Sequence, residues 1–176
     1  DRELALSSGM ASDQAWLLDG LLGEIGTPLA IREFTAWIPW AKRSELRTRR
    51  WGDRIDAYGG VYLLSHEPAL TDAPADPLDT HIIYVGEGGW LQRRWRDFER
   101  SAHERKDGHS GGHSYFATFG AERWSSLHVA AFPIWFGEQE NCDRRLLDAY
   151  RLAVERAIIL RRQVLLGPRD QLLNKK

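Results

Sequence analysis

The chain has 176 residues, of which 43% are hydrophobic and 28% are charged, and 24 basic against 25 acidic residues give a net charge of −1. This length suits one domain with a hydrophobic core and is too short for two domains of average size. The near-neutral charge does not by itself predict a nucleic-acid-binding protein. The one cysteine, Cys142, excludes an internal disulfide framework and a multi-cysteine zinc site. No apolar run approaches the roughly 20 residues that cross a membrane. We therefore expect a cytoplasmic protein in a reducing compartment, without membrane association.

Residues 1–57 are predicted to form an N-terminal helical extension that ends in a basic segment. Apolar spacing predicts helices over Gln14–Gly23 and over Leu29–Trp40. The following segment, Lys42–Arg54, has six cations against two anions. Such a local excess favours phosphate binding, and the alternative is a solvated charged surface. Five of the cations are candidate contacts to a nucleic acid: Lys42, Arg43, Arg47, Arg49 and Arg50.

Two β-strands are predicted next, over Gly59–Ser65 and His81–Val85, and each contains a tyrosine. Between them, His66–Thr80 contains three prolines and three aspartates and is predicted to be a loop. Gly86–Gly89 is predicted to turn the chain into a helix that begins near Trp90.

The helix that begins near Trp90 has a continuous apolar stripe. Its members stand at positions i, i+4, i+7 and i+11: Leu91, Trp95, Phe98 and Ala102. Arg94 lies at the edge of this stripe, because Trp90 and Phe98 are its neighbours one turn away. Arg96 has polar neighbours and is expected to face solvent. Periodicity thus separates one arginine from the others on the same helix.

The second half of the chain is predicted to contain a loop, a strand and a long helix. The loop is Lys106–Ser114, and the strand is Leu127–Phe136, in which Pro133 requires an edge position or a bulge. The helix runs over about residues 143–165, and Glu155 is expected to be half-buried in it. The predicted order of helices, β, β, α, β, α indicates an α+β fold with a small sheet and helices packed on it.

Several short motifs occur together in a specific order. Gly60-Val61-Tyr62 and Tyr84-Val85-Gly86 resemble the two signature triplets of the GIY-YIG nuclease family. The helix after the second triplet is also similar to that family's, with Arg94 at the position of its arginine. Glu155 resembles the family's metal-binding glutamate, and Asn174 resembles the asparagine that ends the module. Each triplet alone is common, and the joint order makes the resemblance specific.

The resemblance covers residues 58–176 and implies a three-stranded mixed sheet flanked by helices. It also implies a divalent-metal-dependent DNA endonuclease, a phosphodiester hydrolase that uses Mg²⁺ or Mn²⁺ on double-stranded DNA. It gives five residues a role: Tyr62 as general base, Tyr84 as the group that orients water or phosphate, Arg94 as the stabiliser of transition-state charge, Glu155 as the metal ligand, and Asn174 as the residue that fixes the closing segment. Arg93 and Arg96 would join the basic segment in contacting the DNA backbone.

The sequence departs from the family pattern in two places. The two tyrosines stand 22 positions apart, about double the common spacing, because of the acidic loop between them. The fold tolerates such an insertion because the entropy of loop closure grows slowly with length, although an acidic loop at the cleft would repel or gate DNA. Phe98 stands where many members have a histidine. His103, His109 and His113 are the alternatives for that histidine.

The resemblance leaves the biological setting open, and a restriction-type or defence-related enzyme is one reading of it. A homodimer is expected if both strands are cut. The alternative function is a catalytically silent nucleic-acid-binding or protein-interaction module on the same fold.

Overall fold

A computed structural model of the protein describes residues 34–48, 52–134 and 144–173. The strands in these residues are β1 (Ile38–Pro39), β2 (Gly60–Ser65), β3 (Ile82–Gly88) and β4 (His128–Pro133). The helices are α1 (Leu91–Ala102), α2 (Ser110–Phe119) and α3 (Arg144–Leu166). Short 3₁₀ helices span Trp40–Glu45, Ile55–Ala57, Trp124–Ser126 and Gly167–Arg169.

The four strands form one sheet in the order β1-β4-β2-β3, and every neighbouring pair is antiparallel. The α+β class is therefore confirmed, whereas the expected three-stranded mixed sheet is wrong in strand number and in direction. The fourth strand forms because Ile38 and Pro39 pair with the start of β4. The loop between β2 and β3 reverses the chain, which makes that pair antiparallel.

The sheet is covered on both faces, so all six residues of β2 are buried. Because side chains alternate along a strand, Val61 and Leu63 pack toward α3, while Tyr62 and Leu64 pack toward α1 and α2. The apolar stripe predicted for α1 is confirmed, since all four of its members are buried in the second of these clusters. The predicted loop over residues 66–80 and the predicted long C-terminal helix are also confirmed.

The predicted helix over Leu29–Trp40 is wrong in the part that is described, from Phe34 onward. Thr35 is held in an extended conformation by Ala131 in β4, whose carbonyl accepts the Thr35 N–H at 3.0 Å and whose N–H donates to Thr35 Oγ1 at 3.1 Å. Phe34 belongs to the core on the α3 side of the sheet, and Trp40 belongs to the core on the α1 side. Pairing with β4 therefore overrides the helix-like spacing of these aromatic residues. The predicted helix over residues 14–23 lies outside the described residues.

Arg162 of α3 anchors the end of the long loop between β2 and β3. Its fully buried guanidinium donates to the carbonyl oxygens of Pro77 at 2.8 Å, Asp79 at 2.7 Å and Ile82 at 3.4 Å. The same group pairs with Asp170, which is also buried, at 2.9 Å. The end of the loop that enters β3 is thus tied to α3. Of the helices within residues 34–48, 52–134 and 144–173, none combines the length and apolarity needed to cross a membrane.

Candidate active site

The two signature tyrosines lie side by side on β2 and β3. Tyr62 pairs with Gly86 across the strands, and the rings of Tyr62 and Tyr84 have centroids 5.9 Å apart. Gly86 is required for this arrangement, because a Cβ atom there would lie 2.6 Å from Tyr62 Cζ and 2.6 Å from Tyr84 Cε1. Gly111 at the start of α2 has the same function on the other side of Tyr84, where a Cβ would lie 2.5 Å from Cε2.

Arg94 reaches the tyrosines from α1. The helix packs closely on the end of β3, so that a Cβ at Gly88 would lie 2.9 Å from the Cβ of Arg94. Arg94 is half-buried, as the edge of the stripe predicts, whereas Arg93 and Arg96 are exposed. Its Nε is buried and has no hydrogen-bond partner among the described residues. The Nε–H of Arg94 therefore has hydrogen-bonding capacity that the described residues do not use.

His109 completes the tyrosine cluster. It is the N-cap residue of α2, where its Nδ1 accepts the N–H of Gly112 at 3.3 Å. Burial, reinforced by the charge of Arg94, lowers the pKa of His109 to about 3, so the ring is neutral. Since Nδ1 acts as an acceptor, the proton of the neutral ring is on Nε2. Nε2 lies 3.3 Å from Tyr62 Oη, to which it donates.

Tyr62 is fully buried, and its environment determines its protonation. Burial raises the pKa of Tyr62 well above its ordinary value; the neighbouring Tyr84 adds to this shift, while Arg94 opposes it. Burial also raises the pKa of Tyr84, against the charge of Arg94 and a hydrogen bond from Tyr62. Both phenols are therefore protonated at neutral pH. This direction is opposite to the one that a general base at Tyr62 requires.

The rings of the cluster differ in what they can offer to a bound molecule. His109 donates to Tyr62 through Nε2–H. Tyr84 packs beside Tyr62 and is the slightly more exposed of the two phenol rings. The hydroxyl of Tyr84 is therefore the more accessible of the two to a bound molecule.

Glu155 on α3 is electrostatically coupled to this cluster. It is nearly buried, and burial, followed by the negative charge of Glu87, raises its pKa against the opposing charges of Arg156 and Arg94. Arg156 Nε lies 3.9 Å from its Oε2, too far for a hydrogen bond. Burial and Glu87 disfavour the ionised form of Glu155, so a bound cation would stabilise that form. Within the described part of the chain, no group of three or more His, Cys, Asp and Glu residues forms a metal cluster. A hard cation that keeps several waters and binds one or two carboxylates fits this donor set.

A cleft of about 330 Å³ opens beside Arg94 at the end of β3. Its lining comes from β3, α1 and the start of α3: Glu87, Gly88, Gly89, Trp90, Arg93, Arg94, Asp97 and Arg144. Arg94 is the predicted site residue that both lines the cleft and contacts the buried tyrosines electrostatically. Arg94 therefore connects the cleft to the buried tyrosine cluster.

Arg43 of the basic segment lies on another side of α1. The guanidinium of Arg43 pairs with Glu99, donates to the carbonyl of Trp40 at 3.1 Å and stacks on the Trp40 ring at 4.7 Å. Glu99 and the cleft residue Asp97 are two positions apart on α1, about 200° around its axis. Arg43 therefore packs on the flank of α1 opposite the cleft, and its charge serves the fold.

The other predicted DNA contacts differ in what the structure describes of them. Lys42 is exposed, and Arg47 is exposed with Nη1 donating to the carbonyl oxygens of Ser44 and Leu46. Three predicted residues lie outside the described part of the chain: Arg49, Arg50 and Asn174.

Two residues of this region differ from their predicted places. His109 is one of the three histidine alternatives and is predicted in a loop over Lys106–Ser114, but a helix begins at Ser110; the four-residue spacing of Tyr115 and Phe119 is the sequence signal for that helix. Glu87 is predicted in the turn Gly86–Gly89, whereas the predicted start of a helix near Trp90 is confirmed, since Trp90 is the N-cap residue of α1. In the structure β3 continues through Glu87 to Gly88, which turns the Glu87 carboxylate toward α3, where Arg151 Nε donates to it at 3.2 Å.

Comparisons of this chain with protein-family models, with curated proteins and with solved structures found no match. The functional reading therefore rests on the residue pattern and on the geometry described above.

Proposed function

We propose that the protein is a divalent-metal-dependent DNA endonuclease of the GIY-YIG type, which hydrolyses a phosphodiester bond with water. The products would be a phosphate monoester and a hydroxyl group. One observation supports this proposal above the others: two tyrosines, an arginine and a glutamate from four separate elements act on one another's pKa values. These are the residue types that phosphodiester hydrolysis uses.

Arg94 is the residue that we assign to the transferring phosphoryl group. Its half-buried guanidinium has a partnerless Nε among the described residues and lines the cleft. A positive charge that is already fixed in a partly dry site stabilises the charge that develops on the phosphate oxygens, because no reorganisation is needed during the reaction. An arginine also matches the geometry of phosphate oxygens.

The tyrosines are assigned as hydrogen-bond donors. Both phenols stay protonated, so Tyr62 holds Tyr84, and Tyr84 orients the attacking water or a phosphate oxygen. His109 contributes by keeping its Nε2–H directed at Tyr62. This assignment replaces the general-base role that the family resemblance suggests for Tyr62.

Glu155 is assigned as the ligand of Mg²⁺ or Mn²⁺, with Glu87 as its nearest acidic neighbour in electrostatic terms. When bound, such a cation supplies Lewis-acid polarisation of the phosphate and a bound water of lowered pKa. The chain's own contribution is a nearly buried carboxylate whose charge is not neutralised by a hydrogen-bonded arginine.

A plasmid-nicking assay tests this function. Supercoiled DNA is incubated with wild-type protein and Mg²⁺ or Mn²⁺, and with two pairs of variants. Glu155→Gln is compared with Glu122→Gln on the surface, and Arg94→Ala is compared with Arg100→Ala on the exposed side of the same helix. We expect the two site variants to lose about 10²- to 10³-fold in rate, and the two surface variants to cut as the wild type does.

Two results would contradict the proposal: no cutting of supercoiled plasmid or of single-stranded circular DNA with any divalent metal tried, or equal cutting by Glu155→Gln. A salt-dependent gel shift without cutting would support the alternative, a catalytically silent binding module.

A further inference from the structure

Trp90 differs from the other tryptophans that the structure describes. Its side chain is 52% exposed, whereas Trp37, Trp40 and Trp95 are buried and Trp124 is half-buried. It is also the N-cap residue of α1, a position at which Ser, Thr, Asp or Asn would satisfy a backbone N–H, and its side chain makes no capping hydrogen bond. Trp90 therefore supports neither the core nor the helix terminus.

The cleft that Trp90 lines has more positive than negative side chains. Its lining contains three arginines, Arg93, Arg94 and Arg144, against two carboxylates, Glu87 and Asp97. Among the described residues that line this cleft, Trp90 is the only large apolar one, so the surface does not resemble an apolar protein-docking patch. The arginines also disfavour a cationic peptide, which would otherwise suit an exposed indole.

The spacing of Trp90 and Arg94 suits one nucleotide. The backbone N–H of Arg94 donates to the Trp90 carbonyl at 3.1 Å, so the two residues are one helical turn apart. Both side chains line the same cleft, so a base can lie on the indole while its phosphate contacts the guanidinium. The cleft volume of about 330 Å³ is at the low end of the roughly 300–1,000 Å³ found for small-ligand sites.

We propose that Trp90 is a stacking platform for an unpaired DNA base whose phosphate is bound by Arg94. The substrate class is then DNA with a single-stranded segment at the cleavage position, rather than uninterrupted duplex. This inference rests on the proposed function for the nature of its ligand. Stacking on an aromatic ring requires an exposed base face, which a paired and stacked base in a duplex does not offer.

Equilibrium binding to labelled DNA tests this inference separately from cleavage. The full chain is titrated, in EDTA, into a short fluorescent single-stranded oligodeoxynucleotide and into the same strand annealed to its complement, with fluorescence anisotropy as the readout. The proteins are wild type, Trp90→Ala, Trp90→Phe and the control Leu70→Ala, which removes another exposed apolar side chain, 64% exposed, from the loop before β3.

We expect Trp90→Ala to weaken single-strand binding about 5- to 150-fold. Trp90→Phe, which keeps an aromatic face, retains most of the affinity, Leu70→Ala equals the wild type, and duplex binding is the same for all four proteins. The inference is overturned if Trp90→Ala binds the single strand as tightly as the wild type does, or if Trp90→Phe binds it as weakly as Trp90→Ala. It is also overturned if Trp90→Ala loses as much affinity for the duplex as for the single strand, or if the wild type binds neither probe.

Cleavage assays on supercoiled plasmid and on single-stranded circular DNA keep the two proposals distinct. Cleavage of either DNA by the wild type, together with unchanged single-strand binding by Trp90→Ala, removes the stacking platform and leaves the nuclease assignment. Trp90-dependent binding without cleavage of either DNA removes the nuclease assignment and leaves a cleft that binds unpaired DNA.

Discussion

We expect acidification to destabilise the protein through His109. The imidazole is buried and neutral, and its pKa in the folded protein is about 3 against an ordinary value of 6.5. Below pH 6.5 the unfolded chain takes up a proton on this ring that the folded protein does not. Unfolding is therefore favoured as the pH falls. The contribution of His109 to stability is complete above pH 6.5 and is lost progressively between pH 6.5 and pH 3.

The size of this effect follows from the same two pKa values. Each pH unit below 6.5 shifts the unfolding equilibrium by about 1.4 kcal/mol per proton. At pH 5 the loss attributable to His109 is therefore about 2 kcal/mol. This is a large part of the 5–15 kcal/mol that is typical for the stability of a folded domain.

Urea unfolding at pH 7 and pH 5 measures the effect, with His109→Asn as the matched variant. Asparagine is a good N-cap residue and does not titrate, but it is too short to reach Tyr62. At pH 7 the variant is expected to be less stable by about 1 kcal/mol, because the hydrogen bond to Tyr62 is lost. Between pH 7 and pH 5 it should lose about 2 kcal/mol less than the wild type.

A second buried histidine, His66, does not affect this comparison. Burial lowers its pKa to about 4, so it also contributes to acid sensitivity. It is present in both proteins, and its contribution cancels in the difference between them. Equal pH dependence of unfolding in the wild type and His109→Asn would refute a buried neutral His109, as would a wild type that becomes more stable on acidification.

Two further variants test the packing that supports the site. Arg162→Met leaves the buried carboxylate of Asp170 without its partner and should cost about 3–5 kcal/mol in urea unfolding, part of which Arg162→Met/Asp170→Leu recovers; a cost below about 1 kcal/mol would contradict this. Gly86→Ala forces a Cβ against Tyr62 and Tyr84 and should cost about 1–3 kcal/mol. Its near-ultraviolet circular dichroism should change with the tyrosine packing, and wild-type stability together with an unchanged spectrum would speak against the close contact.

Sequence periodicity predicted those parts of the fold in which local pattern and tertiary packing agree. The stripe on α1 is the clearest example, because the period of the helix alone separates Arg94 from the exposed Arg96. The same reasoning failed for Phe34–Trp40. There the aromatic spacing suits a helix, but hydrogen bonding to Ala131 in β4 requires an extended chain. A partner 96 residues away is not visible in a local window.

The candidate site could be predicted only in part for a similar reason. The sequence pattern indicates Tyr62 and Tyr84, since both belong to signature triplets. His109, which donates to Tyr62, comes from a separate helix, and the sequence indicates it only as one of three alternative histidines. Its proton position depends on a capping contact with Gly112, which is a property of the folded backbone. The raised pKa of Tyr62 likewise depends on burial, which residue identity does not reveal.

Arg162 anchors the long loop between β2 and β3 in a way that lets the exposed part of the loop vary in sequence. Its contacts are to main-chain oxygens, so they do not depend on which side chains stand at Pro77 and Asp79. A further main-chain bond, from the N–H of Ala75 to the carbonyl of Thr35 at 2.9 Å, fixes the chain just before them. Residues 69–73 are exposed and precede these anchors. The anchored end enters β3 at Ile82, six residues and about 20 Å of strand from the cleft at Gly88. The tip at residues 69–73 can therefore change in length and composition, or accept an inserted reporter peptide, without altering the cleft.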